Sequence, residues 1–192
     1  IPIHYLPTSI NANDFPYCGV DISKSKYKIA TVGRLSYAKG HDYFISAANS
    51  ICNIRSDMAF YIIGDGELKE ELERKVDELN LTSKFVFTGY LQDMIPVLQT
   101  VDIVIMPSLY EGIPSLLLEI MSMGIPVIAS AVGGIPSVIT SGHNGILVSP
   151  GNEKEICDEV IKLLEDKVLR KNISLNARKI VENDYSSNII FI

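Results

Sequence analysis

Two glutamates eight residues apart, Glu111 and Glu119 in the stretch EGIPSLLLE, pose the first chemical question. No Asp, Glu, Lys or Arg occurs from Ile120 through Asn152, so Glu119 is the single formal charge between Gly112 and Asn152. An ionised carboxylate among Leu116, Leu117, Leu118 and Ile120 is costly to bury without partners, which points to something specific for it to bind. Pro114 suits a first helical position, where its missing N–H is no loss. The N–H groups of Ser115 and the next residues would then face outward unpaired, and such a helix N-terminus attracts phosphate. Glu119, about one turn into that helix, is placed to accept hydrogen bonds from vicinal hydroxyls such as a ribose. Glu111, in the loop before, would face another part of the same ligand. A carboxylate satisfied by backbone or arginine is the plainer alternative for Glu119.

Cations and glycines at other points suit the same chemistry. In GRLSYAKG (33–40) the cations Arg34 and Lys39 lie between Gly33 and Gly40. Two cations in a loop that backbone can approach closely fit a diphosphate, although a solvated basic loop has the same composition. GDGELKEEL (64–72) lacks the third glycine of a dinucleotide fingerprint and no GxGxxG follows the first strand, so a tight strand-to-helix turn is the better account. Gly133 and Gly134 follow another strand, where backbone can meet a ligand, but turn chemistry alone explains a glycine pair. His4, His41 and His143 form no i, i+4 pair, and Cys18, Cys52 and Cys157 share no CxxC spacing. No metal site and a reducing compartment are therefore expected, with Cys52 and Cys157 on apolar helix faces. No GxSxG nucleophile elbow occurs.

These residues need elements to hold them. Short β-rich runs at 28–33, 58–64, 84–89, 102–108, 125–130 and 145–150 alternate with helical patterns at 40–54, 67–81, 93–99, 114–123, 153–166 and 168–182. Such alternation implies an α/β fold, a Rossmann-like doubly wound parallel sheet with helices on both faces. Ligands of such sheets bind outside the carboxyl ends of the strands. Gly33-Arg34, Gly64 to Gly66, Gly89-Tyr90 and Ser108 to Glu111 all fall there.

A net charge of −6 argues against a broad nucleic-acid surface. The apolar run at 112–152 is broken by Pro114, Gly124, Pro126, Gly133, Gly134 and Pro136, so it falls short of the roughly 20 residues of a membrane span. No signal peptide is visible, a cytoplasmic location is expected, and the start at Ile1 reads as a piece of something longer.

Taken in order, GRLxxxKG, GDG, FTG, PSLYEGIPSLLLEIMSMGIPVIAS, GG, GxLVxPG and a late AR…V resemble the C-terminal domain of glycosyltransferase family 4. That family holds retaining enzymes of two Rossmann-like domains, the GT-B architecture, and the match runs from about Tyr5 to Tyr185. The resemblance implies that Arg34 and Lys39 hold a donor diphosphate, that Glu119 binds the ribose, and that Glu111 contacts the transferred sugar. It further implies main-chain contacts from Gly112, Ile113, Pro114 and Ser115, close backbone approach at Gly33, and a base-lining strip at Gly89, Tyr90 and Leu91. No cofactor and no metal are implied. Residues 1–26 correspond to the end of an interdomain linker and 27–192 to the nucleotide-sugar-binding domain, with the acceptor-binding N-terminal domain outside this chain. Two departures stand out: TSIN (8–11) replaces a motif common at the linker exit, and Ser137 replaces a Glu common after the Gly-Gly turn. The implied function is donor binding for a retaining hexosyltransferase, with the fragment alone inactive and peripheral membrane association, if any, confined to the full-length enzyme. A sugar phosphorylase of the same architecture and a non-catalytic nucleotide-sugar-binding module are the alternatives, and a dehydrogenase is disfavoured by the missing GxGxxG.

Overall fold

The computed structural model describes residues 8–21 and 26–186. Six short runs, β1 (Tyr27–Val32), β2 (Met58–Ile63), β3 (Phe85–Gly89), β4 (Ile103–Met106), β5 (Val127–Ser130) and β6 (Ile146–Val148), form one sheet in the order β3-β2-β1-β4-β5-β6. Every pairing is parallel. The crossovers carry α1 (His41–Ile54), α2 (Lys69–Glu78), α3 (Ile95–Leu98), α4 (Ser115–Ser122) and α5 (Ile135–Val138), and α6 (Glu153–Glu165) and α7 (Lys167–Asp184) close the chain.

The strands read as continuous apolar runs because both faces are covered, and successive side chains alternate between them. Ile29, Phe60, Ile62, Ile103, Ile105 and Ile128 enter one core with α1, α2 and α6. Ala30, Ile63, Val104, Met106, Val127 and Ala129 enter the other with α4 and the second half of α7. In the first core Phe44 meets Phe60 and Phe85 edge-on at 5.9 and 6.0 Å, while Phe60 and Phe85 stack at 5.1 Å. Such aromatic pairs add about 0.5–1.5 kcal/mol each beyond their buried area.

Strand order reverses about the middle of this sheet: β1 leads outward to β2 and β3 on one side, β4 to β5 and β6 on the other. The carboxyl ends of β1 and β4 therefore flank a crevice, the place where open α/β sheets bind ligands. The segment before β1 is tied underneath. Ile10 donates its N–H to Tyr185 at 3.0 Å, Cys18 to Met123 at 3.0 Å, and Tyr17 Oη lies 3.2 Å from Ser174 Oγ.

Element boundaries depart from the sequence reading in three instructive places. The helix expected over 67–81 is confined to Lys69–Glu78, because Leu68 donates its N–H to Leu35 and Asn80 turns left-handed at φ 57°. Asn tolerates that conformation better than most residues. Pro114 is the N-cap of α4, with extended ψ of 130°, and Ser115 is the first helical residue. The short α5, with Pro136 in its first turn, has no counterpart in the sequence reading. Cys157 is buried and Cys52 half-buried on their helices. Among the described residues no helix is long and apolar enough to cross a membrane. His4, the opening as far as Pro7 and the closing NIIFI lie outside the described residues.

Candidate functional site

Above the carboxyl ends of β1, β2 and β3 lies a cleft of about 590 Å³. Its floor is formed by Val32 to Arg34 at the end of β1 and Ile63 to Asp65 at the end of β2. Tyr90, Leu91, Gln92 and Met94, after β3, form one wall, and Ser115, Leu116 and Glu119 of α4 form the other. Six of the residues singled out from sequence (Gly33, Arg34, Tyr90, Leu91, Ser115 and Glu119) thus share one cavity. Ser115, the first residue of α4, lines this wall, and no side chain caps the helix N-terminus.

Glu119 is half-buried, and burial lifts its carboxyl above the ordinary value, an effect that a hydrogen bond from the Ser115 side chain partly offsets. The helix turn explains the pair, since residues four apart share a face. Arg34 is mostly exposed and points across the cleft mouth to Glu67, with Nη2 3.2 Å from Oε2. Tyr90 is 78% exposed, an aromatic face with nothing packed on it and free to stack on a flat ligand.

Lys39 and Glu111 form a second, adjacent cluster. Lys39 Nζ lies 2.5 Å from Glu111 Oε1, and Ser108 Oγ donates to the same oxygen at 2.8 Å. The Glu111 side chain is only 8% exposed, so this pair is shielded from solvent and more strongly coupled than a surface ion pair. A Cβ at Gly33 would stand 3.6 Å from the Lys39 side chain, so the lysine stem lies over the cleft floor.

Glycines hold the loops together. Gly133, at φ 54°, would drive a Cβ to 1.7 Å from the Glu111 carbonyl oxygen. Gly134 donates its N–H to Gly112 at 3.0 Å. The glycine pair thus lets the Glu111-Gly112 backbone approach closely, and it seats that loop. Gly64 does the same beneath Gly33, whose carbonyl oxygen would be 2.0 Å from its Cβ. Ile113 accepts a hydrogen bond from Thr8 at 3.4 Å, so the TSIN segment reaches the same loop. Gly112, Ile113 and Pro114 lie in this loop, beside the cleft wall that begins at Ser115.

The family model described as glycosyl transferases group 1 matches residues 20–180. The chain belongs to this family. Among curated relatives, group 1 similarity includes the alpha-D-kanosaminyltransferase of Streptomyces kanamyceticus, 34% identical over 157 residues that cover 81% of this chain and 41% of that protein. The UDP-Gal:alpha-D-GlcNAc-diphosphoundecaprenol alpha-1,3-galactosyltransferase of Escherichia coli is 29% identical over 93% of this chain and 46% of its own length. The chain therefore spans about half the length of the curated relatives it matches. Among solved structures, the C-terminal domain of a glycosyl transferase group 1 family protein from Francisella tularensis superposes with TM-score 0.82 at 28% identity, covering 93% of this chain and 99% of that one. The fold is that of a GT-B C-terminal domain.

In this group 1 chain the sequence reading passed over several residues that build the site. Gln92, Met94 and Leu116 line the cleft, and the only signal for them was proximity to a strand end or helix start. Ser108 was noted for its place after β4 but not for its bond to Glu111. His41, considered from sequence only as a metal ligand, is 2% exposed beneath the Arg34 loop. Among the described residues no three His, Cys, Asp or Glu side chains gather as a metal ion would require.

Proposed function

We propose that this chain is the donor-binding half of a retaining glycosyltransferase, which moves a hexosyl group from a nucleoside diphosphate to an acceptor hydroxyl. The observation that carries the reading is the joint lining of one cleft by Arg34, Ser115, Glu119 and the Tyr90-Leu91 strip, with Lys39–Glu111 beside it. Each part matches a part of such a donor. Glu119 accepts from the ribose hydroxyls, Tyr90 and Leu91 flank the base, and the diphosphate lies between Arg34, Lys39 and the α4 N-terminus. Glu111 orients the sugar while its carboxylate shares Lys39 with the diphosphate. Donors of this class are used by relatives, as the name of the E. coli galactosyltransferase states.

In the transfer, the bond from the anomeric carbon to the diphosphate oxygen breaks and a bond to the acceptor oxygen forms on the same face. The acceptor's proton passes to the departing diphosphate. Cations and N–H dipoles already in place around that oxygen stabilise the charge that grows on it, without needing to reorient. In this reading no metal is required, and the acceptor belongs chiefly to an N-terminal domain outside this chain.

A panel of UDP, GDP, ADP, NAD and inorganic phosphate, read by thermal shift, tests the reading. A ligand at 100-fold over its dissociation constant adds about 2.7 kcal/mol, or roughly 5–10 °C in a domain of this size. One nucleoside diphosphate is expected to give that shift. A shift with phosphate alone would favour a phosphorylase, and measurable sugar transfer by these residues alone would contradict the need for a second domain.

A further inference from the structure

One buried ionisable group beneath the cleft has no part in the reading above. His41 opens α1, directly after the loop that carries Arg34 and Lys39, and is 2% exposed. Its ring is held at both nitrogens: Nε2 lies 3.1 Å from the Arg34 carbonyl oxygen, and Nδ1 lies 3.3 Å from the hydroxyl of Thr31, which is fully buried on β1. A carbonyl oxygen can only accept, so Nε2 must carry the proton. In the neutral ring Nδ1 is then the acceptor and the Thr31 hydroxyl the donor, which fixes one tautomer and one ring orientation.

The Arg34 carbonyl also accepts from the Ser36 N–H at 2.9 Å. Both of its lone pairs are therefore taken, one by the loop itself and one by α1. Backbone bonds also pin the loop, from Leu35 N–H to Asp65, from Leu68 N–H to Leu35 and from Leu109 N–H to Ala38, 2.9, 3.0 and 2.8 Å long. Through its side chain His41 joins the Arg34 backbone to the strand below. Burial and the neighbouring Lys39 ammonium hold the imidazole pKa down to about 4, so the same hydrogen-bond pattern persists across neutral pH.

We propose that His41 is a positioning residue for the diphosphate: its neutral imidazole, oriented by Thr31, sets the Arg34 backbone so that the cationic loop meets the phosphate farther from the ribose. This rests on the donor-binding reading. It acts through Arg34 and Lys39 and touches no substrate. The consequence is selective. A nucleoside monophosphate, held by Glu119 and the Tyr90-Leu91 strip, should not sense His41, whereas the diphosphate should.

The test is calorimetric titration of the chain with the nucleoside diphosphate that it binds and with the matching monophosphate. His41→Ala is expected to weaken diphosphate binding by about five- to tenfold, the effect of one hydrogen bond, and to leave monophosphate binding within about twofold. His41→Gln, which keeps a donor and an acceptor, should restore most of the loss, and Thr31→Val should fall between. Should His41→Ala not fold, the Gln and Val variants give the same ratio, and side-chain nitrogen-15 spectra of the unaltered chain report the tautomer. An unchanged diphosphate-to-monophosphate ratio, including a parallel loss of both, would overturn the proposal while leaving the donor site standing. So would a ring protonated at Nδ1. If the unaltered chain binds no nucleoside diphosphate, the donor reading falls first and this proposal with it.

Discussion

Burial raises the Glu119 carboxyl above its ordinary value near 4.5, so the ionised form is disfavoured in the empty cleft. A carboxyl with a raised folded pKa contributes its stability when protonated, and loses it as pH rises through that pKa. Hydroxyls of a ribose donate best to the ionised form, and so pull the pKa back down as they bind. Nucleoside diphosphate affinity should therefore fall on acidification through the free-state pKa of Glu119, and calorimetry between pH 7 and 5 reads this directly. Glu119→Gln should flatten that dependence, and Glu119→Ala should cost about 1.5–3 kcal/mol, the range of a charge-assisted hydrogen bond. Unaltered affinity in both variants would remove Glu119 from the site. Arg34 behaves in the opposite sense. Its guanidinium is already engaged by Glu67, 3.2 Å away with both side chains more than half exposed. An incoming diphosphate must compete with that carboxylate. Since exposed pairs are worth about 0–1 kcal/mol, Glu67→Ala should tighten diphosphate binding by up to about fivefold at low salt. The gain should fade as salt screens the competing charge.

At the scale of elements, α4 is the piece on which the site depends, and both of its ends are organised. Its N-terminus faces the cleft, and its C-terminal carbonyls meet a cation. Arg178 of α7 brings Nη1 within 2.6 Å of the Ser122 carbonyl and 2.7 Å of the Phe15 carbonyl, and Nε within 2.5 Å of Glu182. A guanidinium there complements the negative end of the helix dipole and ties the leading segment to α4. Arg178→Met should cost about 2–4 kcal/mol in denaturant unfolding, more than one charge-assisted bond, because it strands several carbonyls. Arg178→Lys should recover only part of that, for want of the planar fork. Gly133→Ala should also destabilise the fold and displace Glu111, since its Cβ has no room at 1.7 Å from that carbonyl. Neither role was legible in the sequence, because both depend on contacts between residues far apart in the chain. What was legible followed from local pattern. Short β-rich apolar runs gave the six strands, and the charge-free stretch around Glu119 singled out α4 before any fold was assigned. Arg34 was found by type and spacing, but its turn toward Glu67 was not. The glycine pair at 133 and 134 was placed after a strand, but its backbone neighbour, the Glu111-Gly112 loop, was not legible, since sequence shows that backbone can come close without showing what comes.

For the molecule as a whole, the same His41 that ties the loop sets how the fold responds to acid. Its pKa is about 4 in the folded chain against 6.5 unperturbed. Between those values the unfolded chain binds a proton that the folded chain does not, so stability rises with pH across the window and is lost as pH falls through it. The difference corresponds to about 3 kcal/mol. Asp57, whose carboxyl is held below its ordinary value first by its hydrogen bond from Arg55, acts in the same direction at lower pH. Glu119 acts in the other, its raised carboxyl favouring the fold as it takes up a proton. The balance places the main loss between pH 6.5 and 4, on a domain whose entire stability is of order 5–15 kcal/mol. Urea unfolding at pH 7, 5.5 and 4.5 should show the decline, and His41→Gln, which has no proton to gain, should remove most of its slope. If the unaltered chain and His41→Gln decline in parallel, the imidazole is not held neutral in the fold. The ring would then titrate in the fold as it does in the unfolded chain, near 6.5, and would place a third cation beneath the loop that carries Arg34 and Lys39 only as pH falls below that value.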